Sequence, residues 1–350
     1  MKKGIYTTAL LSCFALIFSF DAQAQADMST AGGYMDAISV EYKQINEDMM
    51  SYVSAAAHSR RAKKIEKKRK EVVGTMFQAI RKIKRLPGFE GDVTYRDAVL
   101  DYLNVRYSVM NEDYARIVNM EEVAQESYDD MEAYLNLQAK IDQKIDAAHL
   151  ELSEAQRTFA LANNINLVSS DSKLSEKMRK SSEVSEYANK LFLIYFKCKI
   201  EEKHMREAVQ SGDLSALEQR KNSINTYVKE GYDKLREAGS YDGDNSLIVA
   251  VNDILRFYEA EAKNDAPRFQ NFYLIKEQFE QIKNVIDNKK ASERTQQDID
   301  TYNDMVNKYN AGIKAFNKMI TDGNKNRGNV IDAYEKARNK FRNKHTPRYR

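Results

Sequence analysis

The sequence predicts an all-α protein built from two copies of one helical unit, and three observations lead to this prediction. The 350 residues include only 3 Pro and 13 Gly, and 31% of them are charged, a composition that favours helices throughout. Segments 91–119 and 243–271 share nine identical positions at a constant offset of 152. From Ile117 to Ala162, apolar residues recur about every 3.5 positions, as they do in coiled coils.

The repeated segment determines the predicted domain organisation. Its identical pairs are Gly91/Gly243, Asp92/Asp244, Ala98/Ala250, Val99/Val251, Asp101/Asp253, Leu103/Leu255, Asp113/Asp265, Arg116/Arg268 and Asn119/Asn271. Because a repeat indicates one supersecondary unit used twice, we expect both segments to form the same turn followed by the same helix. The predicted divisions are a signal peptide (1–26), repeat unit one (27–168), repeat unit two (169–343) and a basic tail (344–350).

Residues 1–26 have the pattern of an export signal. Two lysines precede an apolar run from Ala9 to Phe20, which is too short to span a bilayer. Small residues after the run predict cleavage before Asp27 or two residues earlier. The alternative is a lipoprotein signal in which Cys13 is lipidated, although the apolar run continues past this cysteine. Both signals predict an exported protein of the periplasm or the cell surface.

In unit one, the first helix is expected to run from the candidate N-caps Ser29 and Thr30 to about Ala57. A weak break follows at His58-Ser59. The second helix should end before Pro87, because the residue that precedes a proline disfavours the helical conformation.

The third helix of unit one is the longest expected element. Asp92 is its predicted N-cap, and twelve of the fourteen a and d positions between Ile117 and Ala162 are apolar. An unbroken helix from Asp92 to Ala162 would be roughly 105 Å long. The seam therefore predicts an elongated, coiled-coil-like arm through which an oligomer could form.

Unit two should open with a helix that contains segment 191–196, which is apolar on all sides and is expected to be the most buried. This helix should end at Ser211-Gly212, and the next one near Ala238. A long third helix should be interrupted at 288–290. A last helix should then run to about Lys340 and leave a frayed basic tail.

Two turns of matching sequence precede the third helix of each unit, Phe89-Glu90-Gly91-Asp92 and Tyr241-Asp242-Gly243-Asp244. In one interpretation, oxygen atoms around Asp242 and Asp244 bind Ca²⁺, but the closing glutamate of an EF-hand loop is missing. In the other, each glycine adopts a positive φ angle and Asp92 and Asp244 are helix N-caps. The spacing favours the second, structural interpretation.

Residue spacing indicates neither a metal site nor a catalytic one. After signal cleavage Cys198 is the one remaining cysteine, which excludes an internal disulfide and predicts a buried free thiol. The four histidines have no ligand spacing with another His or with a Cys. Gly-rich phosphate loops, HExxH motifs and nucleophile elbows are not found. The sequence therefore predicts no cofactor, no metal and a non-enzymatic function.

The strongest charge feature is a basic run from 60 to 70, in a chain whose net charge is only +3. The run contains Arg60, Arg61, Lys63, Lys64, Lys67, Lys68, Arg69 and Lys70. One interpretation is a site for an anionic membrane surface, such as phospholipid headgroups or lipopolysaccharide phosphates, or for a polyanion. The balanced total charge argues against a specific nucleic-acid partner.

The other interpretation of the run is a charge-paired face. Residues 112–132 hold eight acidic residues and one basic residue, and both clusters are missing from the corresponding positions of unit two. Folding the chain about residue 89 would bring Ile65 opposite Asp113, so that Glu112 and Asp113 meet the run. This pairing, which the sequence favours, would set register more than stability, because an exposed pair contributes only about 0–1 kcal/mol.

Two segments, together with the export signal and the duplication, resemble an uncharacterised family of exported helical bacterial proteins. They are YSVMNEDYARIVNMEEVAQESYDDMEAYL (107–135) and GDNSLIVAVNDILRFYEAEA (243–262). Members of the family are labelled as surface proteins, with spirochaete and Bacteroidota representatives. The family has no assigned activity, so the resemblance implies an envelope or surface location and nothing more.

Together these features predict a non-enzymatic exported scaffold or protein-binding protein that presents long helical faces to a protein partner at the cell envelope. The alternative is a binder of anionic surfaces or polyanions that uses the basic run 60–70 and the basic tail. A scaffold predicts partner binding with little salt dependence, whereas an anion binder predicts an affinity that falls steeply with salt.

Overall fold

A computed structural model describes residues 27–59, 61–113, 127–167 and 173–349, and nearly all of them are helical. Within these ranges the structure has no β-strand, only two isolated bridges that close short turns. The all-α prediction is therefore confirmed. No helix in the described ranges is both long enough and apolar enough to cross a membrane. The predicted signal peptide lies outside the described residues.

The α-helices of the described residues are named here in chain order. They are α1 (Ala31–His58), α2 (Ala62–Lys84), α3 (Thr94–Ser108), α4 (Tyr128–Ala162), α5 (Lys173–Ser211), α6 (Leu214–Ala238), α7 (Ser246–Ala260), α8 (Ala266–Asn288) and α9 (Gln296–His345). A π-helical turn, Val109–Asp113, continues α3, and a second one, Glu261–Asp265, continues α7. A 3₁₀ turn, Ala291–Glu293, precedes α9.

The contacts divide the chain into two compact units. The first takes in the described residues of Met1–Asn189 and Asn339–Arg350, and the second consists of Lys190–Arg338. The first part of α5 and the end of α9 therefore pack in the first unit. These units do not end at the repeat boundaries expected at 168/169 and 343/344. The repeat boundaries describe a duplication in the sequence, which stays a prediction, whereas the units describe which residues contact one another.

In the first unit, α1 packs on α2, α2 on α3, and α3 on α4. Helices α3 and α4 are antiparallel, because the Tyr95 ring contacts Phe159 at 5.3 Å between centroids while Tyr102 contacts His149 at 5.8 Å. The buried apolar face of α4 comes from the predicted seam. Its buried members include Met131, Tyr134, Ile141, Ile145, Leu152 and Phe159. The seam thus fills the core of its own unit.

The prediction of one unbroken helix from Asp92 to Ala162 is wrong. Ser127 has an extended conformation (φ −149°, ψ 171°), and its side chain accepts a hydrogen bond from the Asp130 backbone N–H. A serine N-cap followed by two aspartates in the first turn starts a new helix here, although the heptad spacing continues through this position. The rest of the connection, 114–126, lies outside the described residues.

The repeated segment has the same structure in both copies as far as it is described. Helices α3 and α7 begin and end at positions 152 residues apart, and so do their π-helical turns. The preceding turns are closed by matching bridges, Phe89 to Asp92 and Tyr241 to Asp244. Residues 91–113 and 243–265 therefore have the same sequence of turn, α-helix and π-helical turn, as the repeat predicts. Residues 114–119 lie outside the described residues, and the duplication of the whole units stays a prediction.

The predicted N-caps of these helices are displaced by one residue. Val93 and Asn245 occupy the cap positions, and neither provides a side-chain cap. Asp92 Oδ1 instead accepts from the Thr94 N–H at 2.8 Å, and Asp244 Oδ1 accepts from the Ser246 N–H at the same distance. The carboxylates still serve the first turn of each helix, from one position further back than expected.

The end of the chain is ordered against the first unit, and the prediction of a frayed tail is wrong. Helix α9 continues to His345, although the sequence predicts an end near Lys340. Phe341 is fully buried, and its ring lies 5.5 Å from that of Tyr187. Thr346 is also buried. The many basic residues of this segment suggested that it would be solvated. Apolar contacts of Phe341 instead hold it on the first unit.

In the second unit, α6 packs on α7, and α8 and α9 form an antiparallel pair. Phe272 contacts Phe316 and Phe279 stacks on Tyr309, both at 4.5 Å between ring centroids. The expected interruption after Asn288 is present, and Thr295 accepts a hydrogen bond from the Asp298 N–H at the start of α9. Aromatic side chains supply much of the apolar area along this pair.

Candidate functional site

A basic pocket of about 1100 Å³ lies in the first unit, where α1 ends and α2 begins. Its charged lining residues are all basic: Arg61, Lys64, Lys68, Lys177 and Arg348, with His58 beside them. The other lining residues are Ser51, Ser54, Ala55, Ser59 and Tyr349. No carboxylate of the described residues is among them. We call this cavity the tail pocket.

The break between α1 and α2 places three of these cations on one wall. Helix α1 stops because Ser59 is extended (φ −93°, ψ 140°), and α2 starts after Arg61. Arg61, Lys64 and Lys68 then follow the i, i+3, i+7 spacing that keeps side chains on one helix face. Buried Ile65 fixes the rotation of α2, since it points into the core.

A second wall comes from α5 and the tail. Lys177 Nζ donates to the Arg348 carbonyl oxygen at 3.2 Å, and the Tyr349 N–H donates to Ser54 Oγ at 3.1 Å. His58 Nε2 lies 3.1 Å from the Thr346 carbonyl oxygen and must carry the proton there, because a carbonyl can only accept. These contacts hold the backbone of the tail across the cavity.

The charges of the tail pocket are only partly neutralised. Lys68 forms an ion pair with Glu71 at 2.7 Å. Arg61, Lys64 and Arg348 have no ion pair within the described part of the chain. Lys177 lies 5.7 Å above the Tyr349 ring, which offers it a cation–π contact. Like charges that converge in a concave site attract anions strongly, because low-dielectric walls focus the field.

The tyrosine at the edge of the pocket has a mixed environment. Burial raises the pKa of Tyr349 above its usual value of 10.0, and the nearby charges of Glu47 and Asp48 raise it further. These two acids neighbour the tyrosine but are not among the lining residues. Tyr349 is therefore a neutral hydroxyl donor at physiological pH.

The remaining described members of the basic run are not among the residues that line the pocket. Arg69 makes two hydrogen bonds to Glu66 at 2.8 and 2.9 Å and donates from Nη1 to the Met110 carbonyl oxygen at 2.6 Å. Lys67 and Lys70 are exposed and lie 3.9 Å from a glutamate of their own helix. Lys63 is exposed, and Arg60 lies outside the described residues.

One contact between the run and the segment that carries the acidic cluster is a hydrogen bond to a backbone carbonyl. The bond from Arg69 to Met110 gives α2 and α3 nearly the predicted register, close to Glu112 and Asp113. The Glu112 carboxylate accepts from Ser108 within its own segment. The other acids between 114 and 126 lie outside the described residues, so the wider pairing stays a prediction.

The other candidate sites carry no ligand chemistry in the described residues. No group of three or more His, Cys, Asp or Glu side chains is arranged to hold a metal ion there. Cys198 is fully buried and free, as predicted, and burial raises the pKa of its thiol to about 12. Such a thiol is protonated and unreactive at neutral pH.

Sequence reasoning identified most of the cations of the tail pocket but not Lys177. Arg61, Lys64 and Lys68 belong to the predicted run, and Arg348 belongs to the basic tail that the alternative function combined with it. Arg348 is separated from Lys177 by 171 residues, and no local pattern links positions so far apart. The only sequence signal was the basic composition of 344–350.

Comparison of this chain with protein-family models, with curated proteins and with solved structures finds no match. The resemblance to exported bacterial surface proteins therefore stays a prediction.

Proposed function

We propose that this chain is a non-enzymatic binding protein for anionic ligands, and that the tail pocket is its binding site. The observation that supports this proposal is a cavity lined by five Lys and Arg side chains and by no acid of the described residues. Surface lysines usually alternate with acids, as Lys67 does with Glu71 on the outer face of α2. Cations that converge without such partners on a concave surface favour phosphate or sulfate groups.

The geometry favours a discrete ligand that enters the cavity over a flat membrane surface. The cations come from two walls, with Arg61 and Lys64 on one and Arg348 on the other. A compound with several phosphate groups would contact both walls at once. A bilayer would more readily meet the outward-facing lysines Lys63, Lys67 and Lys70, which are exposed.

The sequence-based expectation of an exported protein scaffold stays the second candidate. Leu150 and Leu161 support it, because both are about two-thirds exposed (69% and 68%) and lie three turns apart on α4. A protein partner that covered them would bind with little dependence on salt. Export to the periplasm or surface remains a prediction under both candidates.

The proposal is tested by titrating the chain with sodium tripolyphosphate at low salt in a calorimeter. The pocket variant combines Arg61→Gln, Lys64→Gln and Arg348→Gln. The matched control combines Lys63→Gln, Lys67→Gln and Lys70→Gln, which removes the same charge outside the pocket. We expect the pocket variant to lose at least about tenfold in affinity and the control to lose much less. Wild-type affinity should fall steeply with salt.

Two other outcomes would contradict this proposal. Equal losses in both variants would mean that diffuse charge, and not the cavity, attracts the anion. Absence of tripolyphosphate binding together with tight binding to phosphatidylglycerol vesicles, lost in the control variant, would assign the function to the outer face of α2. Melting curves of both variants show whether the substitutions leave the first unit folded.

A further inference from the structure

A buried group of acidic and basic side chains lies in the second unit, at the π-helical turn that follows α7. Glu202 and Glu261 are only 2% and 6% exposed. Nη2 of Arg327 donates to Glu261 Oε1 at 2.8 Å and forms an ion pair with Glu202 Oε1 at 2.5 Å. Arg206 Nε donates to the same oxygen of Glu202 at 2.7 Å. Two carboxylates therefore meet at one guanidinium inside the unit.

The buried charges of this acid pair do not balance. Arg206 is 41% exposed, so water screens its charge and leaves Arg327 as the principal buried cation. Glu261 Oε2 is buried and has no hydrogen-bond partner within the described part of the chain. Burial, followed by the charge of Glu202, raises the pKa of Glu261 to about 8. A single proton on the pair would remove the excess negative charge.

The neighbouring titratable groups do not supply the missing positive charge. Asp265, at the end of the same π-helical turn, adds negative charge and is paired with Arg268 at 3.4 Å. Tyr258 is buried, and burial followed by the charge of Glu202 raises its pKa well above the usual value. Burial raises the pKa of the Cys198 thiol, which is therefore protonated and uncharged. The excess negative charge is therefore confined to Glu202 and Glu261.

The first unit shows that the fold does not require this polar group. At an offset of 152, Glu261 corresponds to Val109, which is buried in the equivalent π-helical turn. Glu202 corresponds to Met49 or Met50, depending on whether the offset is taken as 153 or 152, and both methionines are fully buried. Apolar packing at such a position is usually at least as stable as a buried ion pair. A polar replacement in one copy therefore suggests a role other than stability.

We propose that Glu261, held against the Glu202 carboxylate and Arg327, is a proton-binding site that couples the docking of α9 to pH. With one proton bound, the pair and Arg327 are neutral together, and α9 stays held on the π-helical turn. When the proton leaves, two buried anions share one guanidinium, and this part of α9 should open more often. The proposal concerns the second unit alone and is independent of anion binding in the tail pocket.

The sign of the pH effect follows from linkage. A carboxyl whose pKa is higher in the folded chain than the ordinary 4.5 binds a proton on folding. Its contribution to stability is greatest below the unfolded pKa and declines as pH rises toward about 8. Most carboxylates act in the opposite direction, since ion pairs lower their pKa values.

The test compares thermal unfolding of the full chain from about pH 5 to pH 8 with that of Glu261→Gln, a neutral analogue of the protonated acid. We expect the wild-type melting temperature to fall by about 4 °C or more relative to the variant over this range. The comparison cancels the titration of the four histidines, which both chains share. Circular dichroism is the readout, because the chain contains no tryptophan.

Glu259→Gln is the matched control, since Glu259 lies two residues away and its pKa is lowered by its hydrogen bond to Lys263. It should keep the wild-type pH slope. Amide hydrogen exchange across 320–331, corrected for the chemical rate, provides a readout in the wild-type chain even if a variant folds poorly. Faster corrected exchange at pH 8 is expected. An equal pH slope in wild type and Glu261→Gln, or exchange that does not depend on pH, would overturn the proposal.

Discussion

At the scale of single residues, the two turns of matching sequence share an unusual backbone conformation at two consecutive positions. Glu90 and Asp242 have φ angles of 50° and 48°, and the glycines that follow them, Gly91 and Gly243, have 87° and 75°. Two consecutive left-handed residues let each turn close on itself before its helix starts. The repeat predicted the glycines, but nothing in the sequence predicted that an acidic residue would share this conformation.

Two glycine substitutions should change stability in opposite directions. Gly91→Ala places a Cβ on a residue with φ of 87° and should cost about 1 kcal/mol or more. Gly74 lies in the middle of α2, where an added Cβ would meet nothing within 4 Å. Gly74→Ala should therefore stabilise the chain by about 0.5–1 kcal/mol. Urea unfolding of both variants measures the difference, and a shift of the same sign in both would contradict this account.

At the scale of helices, breaks made by local signals were predictable, whereas breaks that compete with a longer pattern were not. The ends at His58, Ser211 and Asn288 agree with the sequence-based expectation. The start of α4 was missed because the apolar seam continues in phase across Ser127. An apolar stripe shows only that a face is buried, and it does not distinguish a partner chain from α3 of the same unit.

The π-helical turns were not predictable from periodicity, and contacts with other elements explain part of their stability. A π-helical turn leaves carbonyl groups without their usual partners, and such turns often lie at functional sites. In the first unit Arg69 donates to one of them, at Met110. In the second, Pro267 follows the turn and has no N–H to continue an α-helical ladder. Glu261 of the acid pair occupies the start of that second turn.

Arg69 should be a structural residue of the α2–α3 contact. Its side chain is only 13% exposed, and Arg69→Met removes the bonds to both Glu66 and the Met110 carbonyl. We expect a loss of about 1–3 kcal/mol in unfolding free energy. Lys70→Met is the control, because Lys70 is 71% exposed and should change stability by less than about 0.5 kcal/mol. Unchanged stability in Arg69→Met with lost tripolyphosphate binding would instead place Arg69 in the site.

At the scale of the whole molecule, both candidate sites depend on segments that are distant in sequence. Periodicity identifies which face of a helix is buried, and so it predicted the core far better than it predicted the sites. From the sequence alone, Glu202 and Glu261 would be assigned to the exposed faces of amphipathic helices. The sequence offers one clue to Glu261. When the two copies are aligned, Glu261 corresponds to Val109, an apolar residue.

The tail should be required for anion binding. Removal of residues 346–350 deletes the wall that His58, Ser54 and Lys177 hold in place. We expect tripolyphosphate affinity to fall by about tenfold or more, with helix content by circular dichroism nearly unchanged. Arg348→Gln alone should lose less, because Lys177 binds the backbone carbonyl of that residue. A truncated chain that binds like the wild type would exclude the tail from the site.

The position of the tail also sets when during synthesis the tail pocket can be completed. Every cation of the pocket except Arg348 is available once Lys177 has been made, but Arg348 follows 171 residues later. At translation rates of about 5–20 residues per second, the interval is roughly 10–30 s. During that time the cations of α2 face solvent on an open surface, to which chaperones or anionic surfaces have access. A selective pocket therefore exists only in chains that have been translated through Tyr349.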